Sequence, residues 1–133
     1  MKKIPDTHRD LLEMDVAALA TIGPKGHPQV TAIWFLFDDD GRVKLSLNTA
    51  RQKVKNLKKR PECTFFIIDP ANQGRTLEMR ADAKLVADDD YAFANKLAGK
   101  YGLEDLSVMD KPGETRVMVI LEPVKINVLD LSA

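Results

Sequence analysis

The sequence predicts a mainly β domain, a small barrel of six or seven mostly antiparallel strands with two or three short helices. Three observations predict it. Apolar and polar residues alternate through RVKLSLN and again through RTLEMRADAKLVAD, the period of strands with one face on a core. Turn signals such as GPKGHP and DDDG separate the early apolar runs by only a few residues. Helical spacing is confined to short stretches, chiefly those after Thr49 and Asp88. At 133 residues the chain reads as one domain, 1–133, long enough to bury a core without disulfide or metal staples.

Taken in order, Asp6 or Thr7 caps a short helix running to Met14, with Leu11 and Leu12 turned inward. Val16 to Gly23 reads as a buried strand. Gln29 to Asp38 reads as a second, with Val30, Ala32, Trp34 and Leu36 on one face and Thr31, Ile33, Phe35 and Phe37 on the other. Both faces are apolar toward its end, which predicts a strand inside the sheet. Asp38 to Gly41 is a turn, because Asp tolerates turn geometry and Gly supplies positive φ. Val43, Leu45 and Leu47 point inward from a third strand, and the short loops make an antiparallel meander the economical arrangement.

Glu62 to Asp69 is another apolar strand, and PANQG is a loop. The alternating run from Arg75 to Asp88 is long for one strand, so it must bend or curl around a barrel. Asp88 to Asp90 open a helix at its positive end, with Lys96 and Lys100 toward its negative end and Gly102 as the stop. Gly102 to Glu114 has the composition of a weakly ordered loop. The closing run supplies one or two strands, with Pro123 marking a break or an edge.

Composition narrows the function classes. With 20 Lys+Arg against 20 Asp+Glu, the chain lacks the basic balance of a general nucleic-acid binder. No apolar run approaches the ~18 residues of a membrane helix. The start MKKIPDTHRD is too polar for a secretory leader, and the lone Cys63 makes no internal disulfide, so the expected compartment is the cytoplasm. Two isolated histidines and one cysteine give no metal-site spacing.

One local excess stands out. Arg51 to Arg60 carries six cations (Arg51, Lys53, Lys55, Lys58, Lys59 and Arg60) and no acid. Thr49 and Gln52 have the spacing of a capping box, which predicts a helix from Ala50 seated through Ala50, Val54 and Leu57. Lys58, Lys59 and Arg60 then sit where the helix dipole favours cations and need only solvent. Arg51 and Lys53 sit at the opposite, positive end, a mismatch of roughly 0.3–1 kcal/mol each that a bound anion would remove. A phosphate there would meet free backbone N–H groups, the Thr49 hydroxyl and both cations.

The pattern A-T-x-x-x-x-G-x-P at Ala20 to Pro28, followed by R-x-K-x-x-N-L-x-x-x-P at Arg51 to Pro61, resembles the split β-barrel family related to pyridoxamine-phosphate oxidase. Its members bind flavin or deazaflavin. The resemblance runs from Leu19 to Asp69, and the later strands and helix follow in matching order. It implies a homodimer with a cofactor in each groove between subunits. It implies a phosphate at Ser46, Asn48, Thr49, Arg51 and Lys53, with Lys55 and Asn56 close by. It places the tricyclic ring along Gln29, Val30, Thr31, Ala32 and Ile33, with Ile67, Ile68 and Asp69 bordering the groove.

FMN-binding oxidases of the family typically carry basic side chains in the second strand, and this strand has none. Pro28-Gln29-Val30-Thr31 looks more like the branch that uses the deazaflavin coenzyme F420, whose anionic tail Lys55, Lys58 and Lys59 would meet. The implied activity is hydride transfer from reduced deazaflavin to a small conjugated acceptor such as an enone, quinone or tetrapyrrole. An FMN-dependent oxidoreductase, a non-catalytic carrier and a basic-helix interaction domain are the alternatives.

Other residues read as structural. His27 is expected in an exposed turn, His8 to be inert, and Cys63, Trp34, Tyr91 and Phe93 to pack. Asp38 to Asp40 are explained by their turn. Ser46 and Thr49 lack the histidine and acid that would make either a nucleophile.

Overall fold

The structure, a computed structural model, describes residues 1–132. Its strands are β1 (Ala17–Ile22), β2 (Pro28–Ile33), β3 (Leu36–Phe37), β4 (Val43–Asn48), β5 (Glu62–Asp69), β6 (Asn72–Ala87) and β7 (Arg116–Asp130). Helix α1 (Gln52–Lys59) follows β4 and α2 (Ala92–Lys100) follows β6, while Asp6–Glu13 and Leu106–Met109 are 3-10 turns. All pairings are antiparallel, and the seven strands form one sheet in the order β2-β1-β5-β6-β7-β4-β3. This is the half-open, split form of a β-barrel.

The alternation read from the sequence fills the core. Leu19, Leu45, Phe65, Leu77, Met79 and Leu121 are sealed from solvent, joined by Leu11 and Leu12 from the first 3-10 turn and Val54 and Leu57 from α1. Phe35 and Phe65 meet edge to face at 5.0 Å in its centre. A second small cluster, Phe93, Ala94, Leu97, Ala98 and Leu106, seats α2 and fixes the loop after it.

The long-strand expectation holds. β6 runs for 16 residues, and its register with β7 shifts between Arg80 and Ala81, next to the pairing of Ala81 with Pro123. Proline has no N–H for the ladder, so the irregularity falls where it sits. The Asp88 carboxylate accepts from the Phe93 and Ala94 N–H groups at 3.0 and 2.9 Å, placing an acid at the start of α2 as expected.

Five local expectations are corrected. The second strand is interrupted, ending at Ile33 and resuming at Leu36. The reason is tertiary: the Phe35 N–H donates to the Tyr101 hydroxyl at 3.0 Å and its carbonyl accepts from Lys100 at 3.0 Å, so α2 holds this backbone instead of a neighbouring strand. The meander therefore stops after β1-β2, and the chain crosses to the far side of the sheet, where β3 pairs with β4. β2 is an edge strand, with Val30 65% exposed, rather than an interior one.

The capping box does not form. The Thr49 hydroxyl binds Thr115 at 2.8 Å, the Gln52 amide donates to the Asn56 side chain at 2.9 Å, and α1 begins at Gln52 without a side-chain cap. Finally, the loop after Gly102 is tied down: Asn95 accepts from the Leu106 N–H at 3.0 Å, and Asp110 pairs with Arg116 at 2.8 Å.

Candidate functional site

Two strands far apart in the sheet order, β2 and β4, line the same cleft of about 530 Å³. The curl of the sheet brings them face to face across the split. Thr31, Ala32, Ile33 and Trp34 form one wall, and Ser46, Leu47 and Asn48 form the other. Arg51 and Lys53 enter from the start of α1, Arg116 from the start of β7, Val16 from the segment before β1, and Met109 from the second 3-10 turn.

The cations of the cleft are of two kinds. Arg116 is already matched: its Nε and Nη2 donate to the two Asp110 carboxylate oxygens at 2.8 and 3.0 Å. The same carboxylate accepts from Tyr91 Oη at 2.8 Å and Asn48 Nδ2 at 3.0 Å. The Arg116 pairing, with those bonds added, holds the Asp110 carboxyl down at about 2, so it stays ionised. This network also aims Arg116 Nη1 at Ser46 Oγ, 3.3 Å away.

Arg51 and Lys53 are different, because neither is in any ion pair of the described residues. Lys53 Nζ donates to Thr31 Oγ1 at 3.0 Å, and burial followed by the nearby Arg51 charge holds its ammonium below the ordinary lysine value. α1 begins with no side-chain cap, and only its Val54 and Lys55 N–H groups are turned back, at 3.1 and 3.4 Å, onto the Arg51 carbonyl. The result is a candidate anion seat, two unneutralised cations at an uncapped helix start, in a cleft that also carries Thr31, Ser46, Asn48 and Arg116 beside its apolar side chains.

Of the twelve sequence-named residues, Thr31, Ala32, Ile33, Ser46, Asn48, Arg51 and Lys53 line this cleft. Gln29, Val30, Thr49, Lys55 and Asn56 lie outside its lining. Asn56 is buried and donates to Thr21 Oγ1 at 3.0 Å and Gln29 Oε1 at 2.9 Å, tying α1 to the β1-β2 hairpin. Lys55 is exposed. Val30, Ile67 and Ile68 share a shallower apolar groove beside the cleft with Val16 and Thr31. Asp69 is buried against Arg75 at 3.0 Å.

Sequence reasoning missed Val16, Leu47, Met109 and Arg116, and it read Trp34 as core. Arg116 lies 70 residues from Ser46, so no local spacing could pair them. His8 is buried with its Nε2 2.9 Å from the Leu129 carbonyl, and His27 is exposed in the hairpin turn. Burial pushes the Cys63 thiol up to about 12, leaving it protonated and unreactive.

Residues 4–127 match the pyridoxamine 5'-phosphate oxidase family, and the chain belongs to it. An F420 reductase of known structure is similar at 32% identity and TM-score 0.79, over 93% of this chain and 98% of that one. A pyridoxamine 5'-phosphate oxidase-related, FMN-binding protein from Nostoc punctiforme superposes with TM-score 0.67 at 17% identity, over 95% and 80% of the two chains. The heme storage protein of Vibrio cholerae does so with TM-score 0.68 at 16% identity, over 96% of each. None of the curated proteins compared with the chain matches it. The family is named for an oxidase, and of these neighbours one is an F420 reductase and one binds FMN, while the third stores heme. Among the described residues no helix is long and apolar enough to cross a membrane.

Proposed function

We propose that this protein is a reductase that uses coenzyme F420 and passes a hydride to a small conjugated acceptor, an enone, quinone or tetrapyrrole-like molecule. The observation that carries the reading is the unneutralised pair Arg51 and Lys53 at the uncapped start of α1, opening onto a cleft with Ile33, Trp34 and Leu47 in its walls. A phosphate fits that donor set, with Ser46 and Asn48 on the opposite wall. The similarity to an F420 reductase supports the choice of cofactor. So does β2, whose residues PQVTAI offer no cation to a flavin ring.

When bound, reduced deazaflavin supplies the hydride, which is delivered to an electron-poor double bond. The chain's own residues do the rest. Arg51, Lys53 and the first turn of α1 hold the phosphate. The β2 backbone and Ile33 give the ring a flat bed, and Val16, Trp34 and Met109 keep water off it. No carboxylate or imidazole is among the side chains lining the cleft, and in this reading water would supply the product's proton.

The protein acts as a homodimer in this reading. Val16, Val30 and Ile68 are 50%, 65% and 50% exposed along the shallow groove beside the cleft, at the end of the sheet where β2 is the edge strand, a surface that a second copy would cover. The expected compartment is the cytoplasm. The activity is tested by following oxidation of reduced F420 by a naphthoquinone. A protein-dependent rate supports the reductase, while tight coenzyme binding with no acceptor turned over leaves a carrier.

A further inference from the structure

The break between β2 and β3 does something the anion seat does not require. It places the chain's one tryptophan in the cleft wall and backs it with a tyrosine. The rings of Trp34 and Tyr101 lie 4.1 Å apart, 8° from parallel. Tyr101 is fixed in turn, its hydroxyl accepting from the Phe35 N–H at 3.0 Å and donating to the Asp15 carbonyl at 2.7 Å. Beside it, Lys100 donates to the Met14 and Phe35 carbonyls at 2.7 and 3.0 Å with its ammonium 3.7 Å from the Phe35 ring centre. Both turns of chain flanking the indole are thereby clamped by the end of α2.

A parallel ring covers one face of an indole. The opposite face is left for a second ring, and Trp34 lines the cleft with 37% of its surface exposed. Val16, Ile33 and Met109 continue the apolar surface around it. Trp34 lies three residues along from Thr31, which Lys53 anchors, a backbone span of at most ~10 Å from the anion seat. The cleft is polarised, with charge at one end and an aromatic plate at the other.

We propose that this plate is the acceptor site: Trp34 stacks a planar, uncharged conjugated ring such as a quinone, and Tyr101 is the positioning residue that holds the indole for it. The assignment rests on the reductase reading for the acceptor's chemistry, but its test does not need the coenzyme. An uncharged ring suits this end, because the free charge of the cleft sits at the other. Offset stacking on a pre-oriented indole gains ring contact without the ordering cost of a mobile one.

Because Trp34 is the only tryptophan, its fluorescence reports this wall alone. The full chain is titrated with 2-methyl-1,4-naphthoquinone, against free N-acetyltryptophanamide as a collisional control. A second titration follows F420 binding through the coenzyme's own fluorescence. Saturable quenching is expected for the wild type and for Tyr101→Phe, which keeps the ring. Tyr101→Leu should bind the quinone between about twofold and tenfold more weakly, the range of one lost aromatic pair, with F420 affinity unchanged.

Quinone binding that is unsaturable, or equal in Tyr101→Leu and the wild type, overturns the proposal. So does an equal loss of quinone and F420, which would make Tyr101 a general prop. Should Tyr101→Leu fail to fold, Trp34→Ala carries the test by calorimetry at a partly exposed position: lost quinone binding supports the assignment and retained binding overturns it. Failure of F420 to bind the wild type, with the quinone arm intact, removes the reductase reading and leaves the aromatic site standing.

Discussion

The Lys53 ammonium donates to the Thr31 hydroxyl at 3.0 Å, joining the first turn of α1 to edge strand β2 across the split in the barrel. A lysine without a carboxylate partner, held on a neutral hydroxyl and partly desolvated, is poised for an anion. Replacing it with alanine should weaken F420 binding by about 1.5–3 kcal/mol, the usual worth of a charged hydrogen bond. Lys59→Ala, at an exposed position past the seat, should matter little for the phosphate end. Equal small effects at both positions in a fluorescence titration would contradict the phosphate seat.

The same lysine sets a pH dependence. Burial and Arg51 hold its folded value below the ordinary one. The sign follows. Between the folded and unfolded values the unfolded chain binds the extra proton, so Lys53's contribution to folding stability becomes more favourable as pH rises through that window. Anion binding goes the other way, since it needs the charged form. F420 affinity should fall as pH climbs toward the ordinary lysine range, and Lys53→Arg should flatten the fall. Identical alkaline profiles for the two proteins would show that another group controls binding.

Asp110 makes an acid-side prediction. Its carboxyl sits at about 2, chiefly through Arg116, against an unfolded value near 4. Its contribution is complete above the unfolded value and is lost as pH falls through the folded one. With side chains only 10% and 3% exposed, Arg116 and Asp110 form a largely buried pair, and removing one partner leaves the other uncompensated. Asp110→Asn should cost about 3 kcal/mol near neutrality, and its deficit against the wild type should shrink below about pH 3. Urea unfolding at two pH values measures both numbers.

Val30 tests the dimer. It is the most exposed of the large apolar residues on β2 and its flanks. Val30→Asp should shift sedimentation from dimer toward monomer, because a buried carboxylate without a partner is strongly disfavoured. F420 affinity should fall with it if the second copy completes the groove. A wild type that sediments as a monomer at micromolar concentration would remove this part of the reading.

Much of the fold was legible where local chemistry decides it. β5 follows from its apolar run, the length of β6 from alternation, α2 from Asp88, and the irregularity at Pro123 from a missing N–H. That Arg51 and Lys53 sit together at the start of α1 was legible for a similar reason, since they oppose a helix dipole whatever surrounds them. What was not legible depended on distant partners. Trp34 and Phe35 have strand-like side chains, but Tyr101 and Lys100, over 60 residues away, hold their backbone out of the ladder. Thr49 and Gln52 spell a capping box, but Thr115 and Asn56 compete for their side chains and win. Arg116 joins the cleft only because β7 pairs with β4.

The proposed deazaflavin site is the cleft between β2 and β4, anchored at Arg51 and Lys53. Parallel titrations of the purified protein with F420 and FMN, at low and raised salt, test it most directly. The account predicts tight F420 binding that weakens with salt and is impaired in Lys53→Ala, with FMN bound poorly. Preference for FMN, or F420 binding indifferent to both salt and Lys53, would contradict it.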